Sequence, residues 1–165
     1  MAVEVRAASI ADADELAAIA AETFPLACPP SADPADIAAC IAENLSAERF
    51  AGYLRDPRRQ VLAARRDGRI IGYAMLIQDA SEVELSKIYV LAEHHRTGAA
   101  AALMDAGLAW AAENDARAVW LGVNQNNERA QAFYRKHGFA VTGTRTFQLG
   151  ASLEDDFVMV RPLSG

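Results

Sequence analysis

The sequence predicts an α/β (α+β) fold: a mixed, twisted central sheet of about six to seven strands flanked by helices. Three observations predict it. The apolar period switches between two and 3.6 along the chain, in the order strand, helices, hairpin, strand, helix, strand, helix, strands. Two apolar runs flank Asp67 and Gly68, the strongest short hairpin signal. Residues 84–124 read as a strand–helix–strand crossover, which makes its two strands parallel and its hand right-handed. The 165 residues, 52% of them hydrophobic, fit one domain over residues 1–165, and no repeat, low-complexity tract or linker divides it.

The elements follow in order. "VEVRAAS" alternates as a first strand, and "DADELAAIAAETF" sets Leu16, Ile19 and Ala20 at helical spacing until "PLACPP" breaks the helix. "SADPADIAACIAENL" is a second helix, capped by Ser31 or Asp33, with Pro34 in its first turn and Ile37, Ile41 and Leu45 on one face. "SAERFAGYLRD" is a short turn or helix. "RQVLAARRDGRIIGYAMLIQD" is the hairpin, and "EVELSKIYVL" another strand. "GAAAALMDAGLAWAAEN" is a helix from near Gly98 whose Leu103, Met104, Leu108 and Ala111 face a core. "ARAVWLGVN" carries a continuous apolar run over residues 118–123, which implies cover on both faces. "NERAQAFYRKH" is a helix capped by Asn127 and ended by Gly138; "FAVTGTRTFQLG" and "DDFVMVRPL" are the closing strands.

Composition narrows the function. A net charge of -6 and a pI near 5.0 argue against a nucleic-acid binder; solubility alone explains that charge, and a cationic substrate is the sharper reading. "MAVEVRAASI" has no signal-peptide pattern, and the apolar run near Gly98 is interrupted by Asp105 and too short to span a membrane, so the expected location is cytoplasmic. Cys28 and Cys40 form neither metal spacing nor a disulfide framework, and free buried thiols in a reducing compartment are expected, with no metal.

"VLAEHHRTGAAAALM" carries the chemistry. A strand ending near Leu91, a Gly-bearing turn and a helix starting near Gly98 form a phosphate-binding layout. Helix-start N–H groups offer donors, the dipole favours an anion, and the small Gly98, Ala99 and Ala100 allow close approach. Arg96, with His94 or His95 when protonated, adds positive charge. The Walker pattern and the three-glycine dinucleotide pattern are both absent. A plain strand–helix connection rich in alanine explains the stretch equally well on its own.

"ELSKIYVLAEHHRTGAAAALM" followed by "WLGVNQNNERAQAFYRKHGF" resembles the GNAT superfamily of acyl-CoA-dependent N-acetyltransferases. The family's loop pattern Q/R-x-x-G-x-G/A falls on His95, Arg96, Thr97, Gly98, Ala99 and Ala100. Asn127, Ala130, Phe133, Tyr134, Gly138 and Phe139 are similar to its second cofactor segment. The similarity runs over nearly the whole chain. His95 stands where the family has Gln or Arg, and Arg96 where Gly is frequent; backbone donors are insensitive to both changes, and CoA affinity is the property they touch. "ETF" at residues 22–24, "WLGV" at 120–123 and the closing "TGTRTFQLG…EDDFVMVRPL" resemble PaiA-type polyamine acetyltransferases.

The resemblance implies acetyl-CoA as cosubstrate and direct attack of an amine on the thioester. It assigns Glu84, on the strand beside the thioester, as the proton acceptor, with Ser86 as a water relay; a salt-bridged surface Glu is the plain alternative. Tyr134 protonates the leaving thiolate, or only packs its ring. A backbone N–H on the strand of Ile88, Tyr89 and Val90 polarises the carbonyl. Asn127 caps its helix and has a second candidate partner in the pantetheine, with Asn124 weaker; His137 fits a structural helix end. Glu22, Phe24, Tyr53 and Phe147 are candidate acceptor-site residues. Asp155 and Asp156 attract a polyamine or are merely solvated. The expected partner is a small-molecule amine acceptor, a polyamine-like one first; a peptide amine, an amino-sugar or a non-catalytic acyl-CoA sensor are the alternatives. No nucleic acid or membrane is expected, and a homodimer is the candidate assembly.

Overall fold

A computed structural model describes residues 2–163. Its elements are β1 (Glu4–Ala7), α1 (Ala13–Ala27), α2 (Pro34–Asn44), α3 (Ala47–Arg55), β2 (Arg59–Arg66), β3 (Arg69–Asp79), β4 (Glu82–Val90), α4 (Ala99–Glu113), β5 (Ala118–Asn124), α5 (Glu128–Lys136), β6 (Ala140–Leu149) and β7 (Ser152–Pro162). Short 3-10 turns at Ile10–Asp12 and Ala92–His94 lead into α1 and towards α4. The seven strands form one sheet in the order β1-β2-β3-β4-β5-β7-β6. Each adjacent pair is antiparallel except β4–β5, the parallel pair the crossover requires.

Local chemistry accounts for the boundaries. Asp67 and Gly68 both take positive φ, 55° and 78°, which turns β2 into β3 with a twist matching the strands. Asp33, rather than Ser31, caps α2 by accepting from the Ala35 N–H at 2.9 Å. Ser46 caps α3 through Arg49 N–H at 3.1 Å. Helix α1 runs past Pro25, which stands in its last turns, and ends at Ala27 before the extended Cys28; Pro25 costs one backbone hydrogen bond there without breaking the helix earlier.

The sheet is covered on both faces. One core joins β-strand residues such as Leu76, Val83, Leu85, Val119, Leu121 and Met159 to Leu103, Met104 and Ala111 of α4, with Phe133 and Tyr134 of α5 packed against it. Gly107 is buried against Leu76, where a larger residue would crowd the leucine; Leu108, expected in the core, packs at its margin. The second core lies under α1, α2 and α3 and holds Leu16, Phe24, Phe50, Tyr73 and Met75.

Strand β5 departs from the expected double cover. Val119, Leu121 and Val123 are buried, while Trp120, Gly122 and Asn124 are only partly so. The Arg145 guanidinium of β6 sits 5.6 Å from the Trp120 ring centroid and against Gly122, where any Cβ would collide with it. An apolar run thus reads as two-sided burial, but one side is roofed by a charged side chain laid flat.

Two features of β4 position the site. First, Leu85 pairs with Leu76 and Lys87 with Met75, so Ser86 is an extra residue, a β-bulge. The bulge reverses the in–out alternation: Val83 and Leu85 face α4 before it, Ile88 and Val90 after it. Lys87 and Tyr89, not Ser86, therefore share the α1 face with Glu84. Second, β4 and β5 pair over only three residues each, Glu82 with Ala118, Val83 with Val119 and Glu84 with Trp120. Beyond that point β4 stays with β3 and β5 with β7, and a seam opens through the sheet.

Candidate active site

The seam is the mouth of a cavity of about 410 Å³. Ile88, Tyr89 and Val90 of β4 form one edge, and Gly122, Val123 and Asn124 of β5 the other. Because the seam pierces the sheet, the cavity has two ends. Gly98, Ala100 and Ala101 of α4 and Asn127, Arg129, Ala130, Phe133 and Tyr134 at α5 line one. Thr23 and Phe24 of α1, Cys28 just beyond it, Lys87, and Arg145, Phe147, Glu154 and Asp156 of the β6–β7 hairpin line the other.

The α4 end is built for an anion. Gly98 has φ 83°, a left-handed conformation that lets the chain turn sharply into the helix. Thr97 Oγ1 accepts from Ala99 N–H at 3.3 Å and donates to His94 O at 2.7 Å. The first-turn N–H groups of Ala100 and Ala101 have no carbonyl four residues back within α4, and both residues line the cavity. His95 is held between Val90 O, 2.8 Å from Nε2, and Arg129 Nη2, 2.6 Å from Nδ1. A carbonyl only accepts and a guanidinium only donates, so this arrangement calls for the N–H on Nε2 and the lone pair on Nδ1. The cation that lines this end is Arg129, which no sequence motif singles out, and not the Arg96 expected there. Arg96 is exposed, and neither its side chain nor Thr97 or Ala99 lines the cavity.

Tyr134 is flanked by Phe133 at 5.7 Å and Phe139 at 6.0 Å, ring centroid to centroid. Burial raises its pKa and keeps the phenol protonated. Asn127 Oδ1 accepts from Ala130 N–H at 3.1 Å and caps α5, which commits that oxygen but leaves the amide N–H groups uncommitted among the described residues. Gln131 closes the preceding loop by donating to Asn124 O and Gln125 O, both at 3.1 Å. His137 ends α5 with its ring 4.6 Å from that of Phe133, a packing position.

The other end is charged. Asp156 is 5% exposed and lies 3.3 Å from Arg145 Nε. Desolvation raises its pKa; Arg145 opposes that, and Glu154 and Asp155 add to it. Glu154 accepts from Ser152 Oγ at 3.0 Å and Asn124 Nδ2 at 3.4 Å. Lys87 Nζ is 3.4 Å from Ser86 Oγ, and desolvation lowers its pKa, with Glu84 acting against the shift. The Cys28 thiol is pushed up to about 11 by burial first, then by Cys40 and Glu154, so it is a neutral, unreactive wall. Both cysteines are free.

Of the residues singled out from sequence, the structure gathers Ile88, Tyr89, Val90, His95, Gly98, Ala100, Asn127, Tyr134, Phe24 and Phe147 into this cavity. Three stand apart. Tyr53 packs edge-on against Phe50, donates its hydroxyl to Asn44 O at 2.7 Å and lines a separate polar groove. Glu22 is exposed on α1, because the buried stripe of that helix passes through Thr23 and Phe24 instead. Glu84 lies at the closed end of the seam, opposite Trp120, outside the lining. Arg129, Lys87, Arg145 and Glu154 line the cavity without having been expected there. Among the described residues no group of three or more His, Cys, Asp or Glu is placed to hold a metal ion, and no helix is long and apolar enough to cross a membrane.

Comparison with known proteins converges on one family. Residues 14–139 match the Acetyltransferase (GNAT) family. N-acetyltransferases of Mycobacterium bovis and Mycobacterium tuberculosis, themselves uncharacterized, are 64% identical over 153 residues, covering 92% of this chain and 98% of theirs. The crystal structure of PaiA N-acetyltransferase from Thermoplasma acidophilum with coenzyme A superimposes with a TM-score of 0.88 at 24% identity, over 99% of this chain and 100% of that one. A ribosomal-protein-alanine N-acetyltransferase from Escherichia coli shares the fold at TM-score 0.76 and 20% identity, over 99% and 96% of the two chains.

Proposed function

The chain belongs to the GNAT acetyltransferase family, an acetyl-CoA-dependent N-acetyltransferase, and from that premise we propose that it acetylates a small primary amine inside the seam between β4 and β5. The observation that carries the reading is the seam itself: one cavity joins the anion-binding start of α4 to a charged chamber on the other face of the sheet. The cosubstrate supplies a thioester carbonyl. Its pyrophosphate fits the N–H groups at the start of α4, with Arg129 as the nearby cation, and its pantetheine arm fits between Val90 and Asn124.

The chain's own groups then handle two protons. An alkylammonium with a pKa near 10.4 must lose one, at about 4–5 kcal/mol near neutral pH. Asp156 is the carboxylate lining the chamber that receives it; Glu84, the acceptor expected from sequence, acts from behind the wall by stabilising the Lys87 charge. As the N–C bond forms and the C–S bond breaks, Tyr134 gives its phenolic proton to the departing sulfur. Strand alternation turns the Tyr89 N–H towards β3, as it does that of Leu91, so Ile88 or Val90 offers the N–H for the carbonyl oxygen. Glu154, a carboxylate without an ion-pair partner among the described residues, lines the same chamber and would hold a second ammonium of the acceptor. The free thiols fit a reducing cytoplasm.

Release of free CoA thiol from acetyl-CoA, measured against a panel of amines, tests the proposal; tight CoA binding with no release from any amine would leave a sensor. Tyr134→Phe should lower kcat about 10–100-fold with KM for acetyl-CoA little changed, because a thiol is already a fair leaving group. Arg129→Ala should raise that KM about tenfold, the scale of one charge-assisted hydrogen bond, and leave kcat near the parent value. Both outcomes are read from steady-state kinetics.

A further inference from the structure

The charges in the acceptor chamber are not those of a site built for a cation alone. Arg145 and Asp156 pair with one another. Among the described residues, Lys87 on β4 and Glu154 on β7 have no ion-pair partner, and they stand on opposite sides of the seam. The groups around Lys87 are Glu84 and Cys40 on the favourable side and Arg59 and Arg145 on the unfavourable side. Arg59 already serves Asp56 at 3.2 Å. Glu84 shares the strand face of Lys87 but lies outside the cavity lining. A partly buried ammonium whose one polar contact is a serine hydroxyl, in a lining it shares with the Arg145 guanidinium, lacks an anion on the open side.

We propose that the acceptor is an amine that also carries a carboxylate: the carboxylate docks on Lys87, the reacting amine lies by Asp156, and a further ammonium, where the acceptor has one, lies by Glu154. The proposal rests on the transferase reading and names its substrate class. The geometry behind it is the β-bulge. Without Ser86 as an extra residue, Lys87 would point to the α4 face, and the chamber would hold only the paired Arg145 as a cation. With the bulge, Lys87 is one residue from Ile88, where the thioester is expected. The anion it holds must therefore lie a few bonds from the amine that attacks, as in an amino acid. A plain polyamine would place a second ammonium against Lys87 and Arg145 and be disfavoured.

Matched acceptors decide it. Thiol release is measured with lysine against cadaverine and with ornithine against putrescine, and spermidine is included as the polyamine. The carboxylate-bearing member of each pair is expected to have kcat/KM at least about tenfold higher. Lys87→Gln should bring that ratio towards one, and Lys87→Arg should keep it. Preference for cadaverine, putrescine or spermidine overturns the proposal and leaves the transferase standing. So does an equal loss against both members of a pair in Lys87→Gln. Should that variant fail to fold, the wild-type ratios alone decide between a carboxylate-bearing acceptor and a plain amine. No thiol release with any amine, from protein that binds acetyl-CoA in a calorimeter, overturns both the acceptor class and the transferase reading.

Discussion

Asp156→Asn is expected to lower kcat about 10²–10⁴-fold, the range for a missing general base, while the protein melts no lower than its parent. The two halves of this result share one cause. Asp156 is 5% exposed, and burial raises its pKa above the ordinary 3.8. A base of raised pKa holds a proton better, which suits it to an amine. The same shift means that the folded protein prefers the protonated carboxyl. Between the ordinary value and the raised one, the native state binds more protons than the unfolded chain, so stability falls as pH rises through that window. Above the window the cost is present in full, and below the ordinary value it is absent. Asparagine resembles the protonated form and still accepts from Arg145, so it removes that cost along with the chemistry. Activity should show the opposite sign, rising with pH as Asp156 ionises. Kinetics across pH and a thermal melt check both. The same substitution at Glu84 should cost less, since that side chain lies outside the chamber; a larger loss there would return the proton to Glu84.

Gly72→Ala should destabilise the protein by about 1–3 kcal/mol, the usual cost of overpacking, and lower its melting temperature by roughly 2–4 °C for each of those kcal/mol. Gly72 of β3 stands opposite Val90. A Cβ added there would sit 2.7 Å from the Tyr89 carbonyl oxygen, 2.9 Å from Val90 Cγ2 and 3.1 Å from Val90 Cα. Two of those three atoms are backbone, and no rotamer change moves them. Relief requires β4 to shift away from β3 at Tyr89 and Val90, the edge of the seam. Calorimetry should therefore find weaker CoA binding in the variant even below its melting range. A variant with unchanged melting and binding would show that β3 and β4 do not approach so closely.

Much of the fold was legible because the signals were local. Asp67–Gly68 could be little other than a turn, Asn127 and Gly138 bracket α5 as their chemistry demands, and the run from Leu91 to Gly98 announces a helix start at a strand end. What stayed hidden was non-local. Strict alternation places Ser86 on the face of Glu84; the bulge that puts Lys87 there instead depends on pairing with Met75 and Leu76 on another strand. Arg129 carries no mark distinguishing it from other helix-surface arginines until His95 is seen to accept from it across the loop. Tyr53 is an aromatic near the right helices, yet its hydroxyl is claimed by Asn44 O in a separate groove. Asp156 was in view, but its burial and its partner Arg145 come from the hairpin register that sets the two opposite each other.

The seam has a consequence for the protein as a material. Three residue pairs, from Glu82–Ala118 to Glu84–Trp120, stitch a four-stranded half to a three-stranded half. A cosubstrate lying in the gap would act as the absent stitching, touching both halves at once. Cohesion and binding are then a single quantity: at a concentration a hundred times its Kd, a ligand taken up only by the folded chain adds about 2.7 kcal/mol to stability. The lifetime of this protein in a cell would thereby follow the supply of CoA and its thioesters, with scarcity leaving the two halves joined only by those three pairs and the core beneath α4.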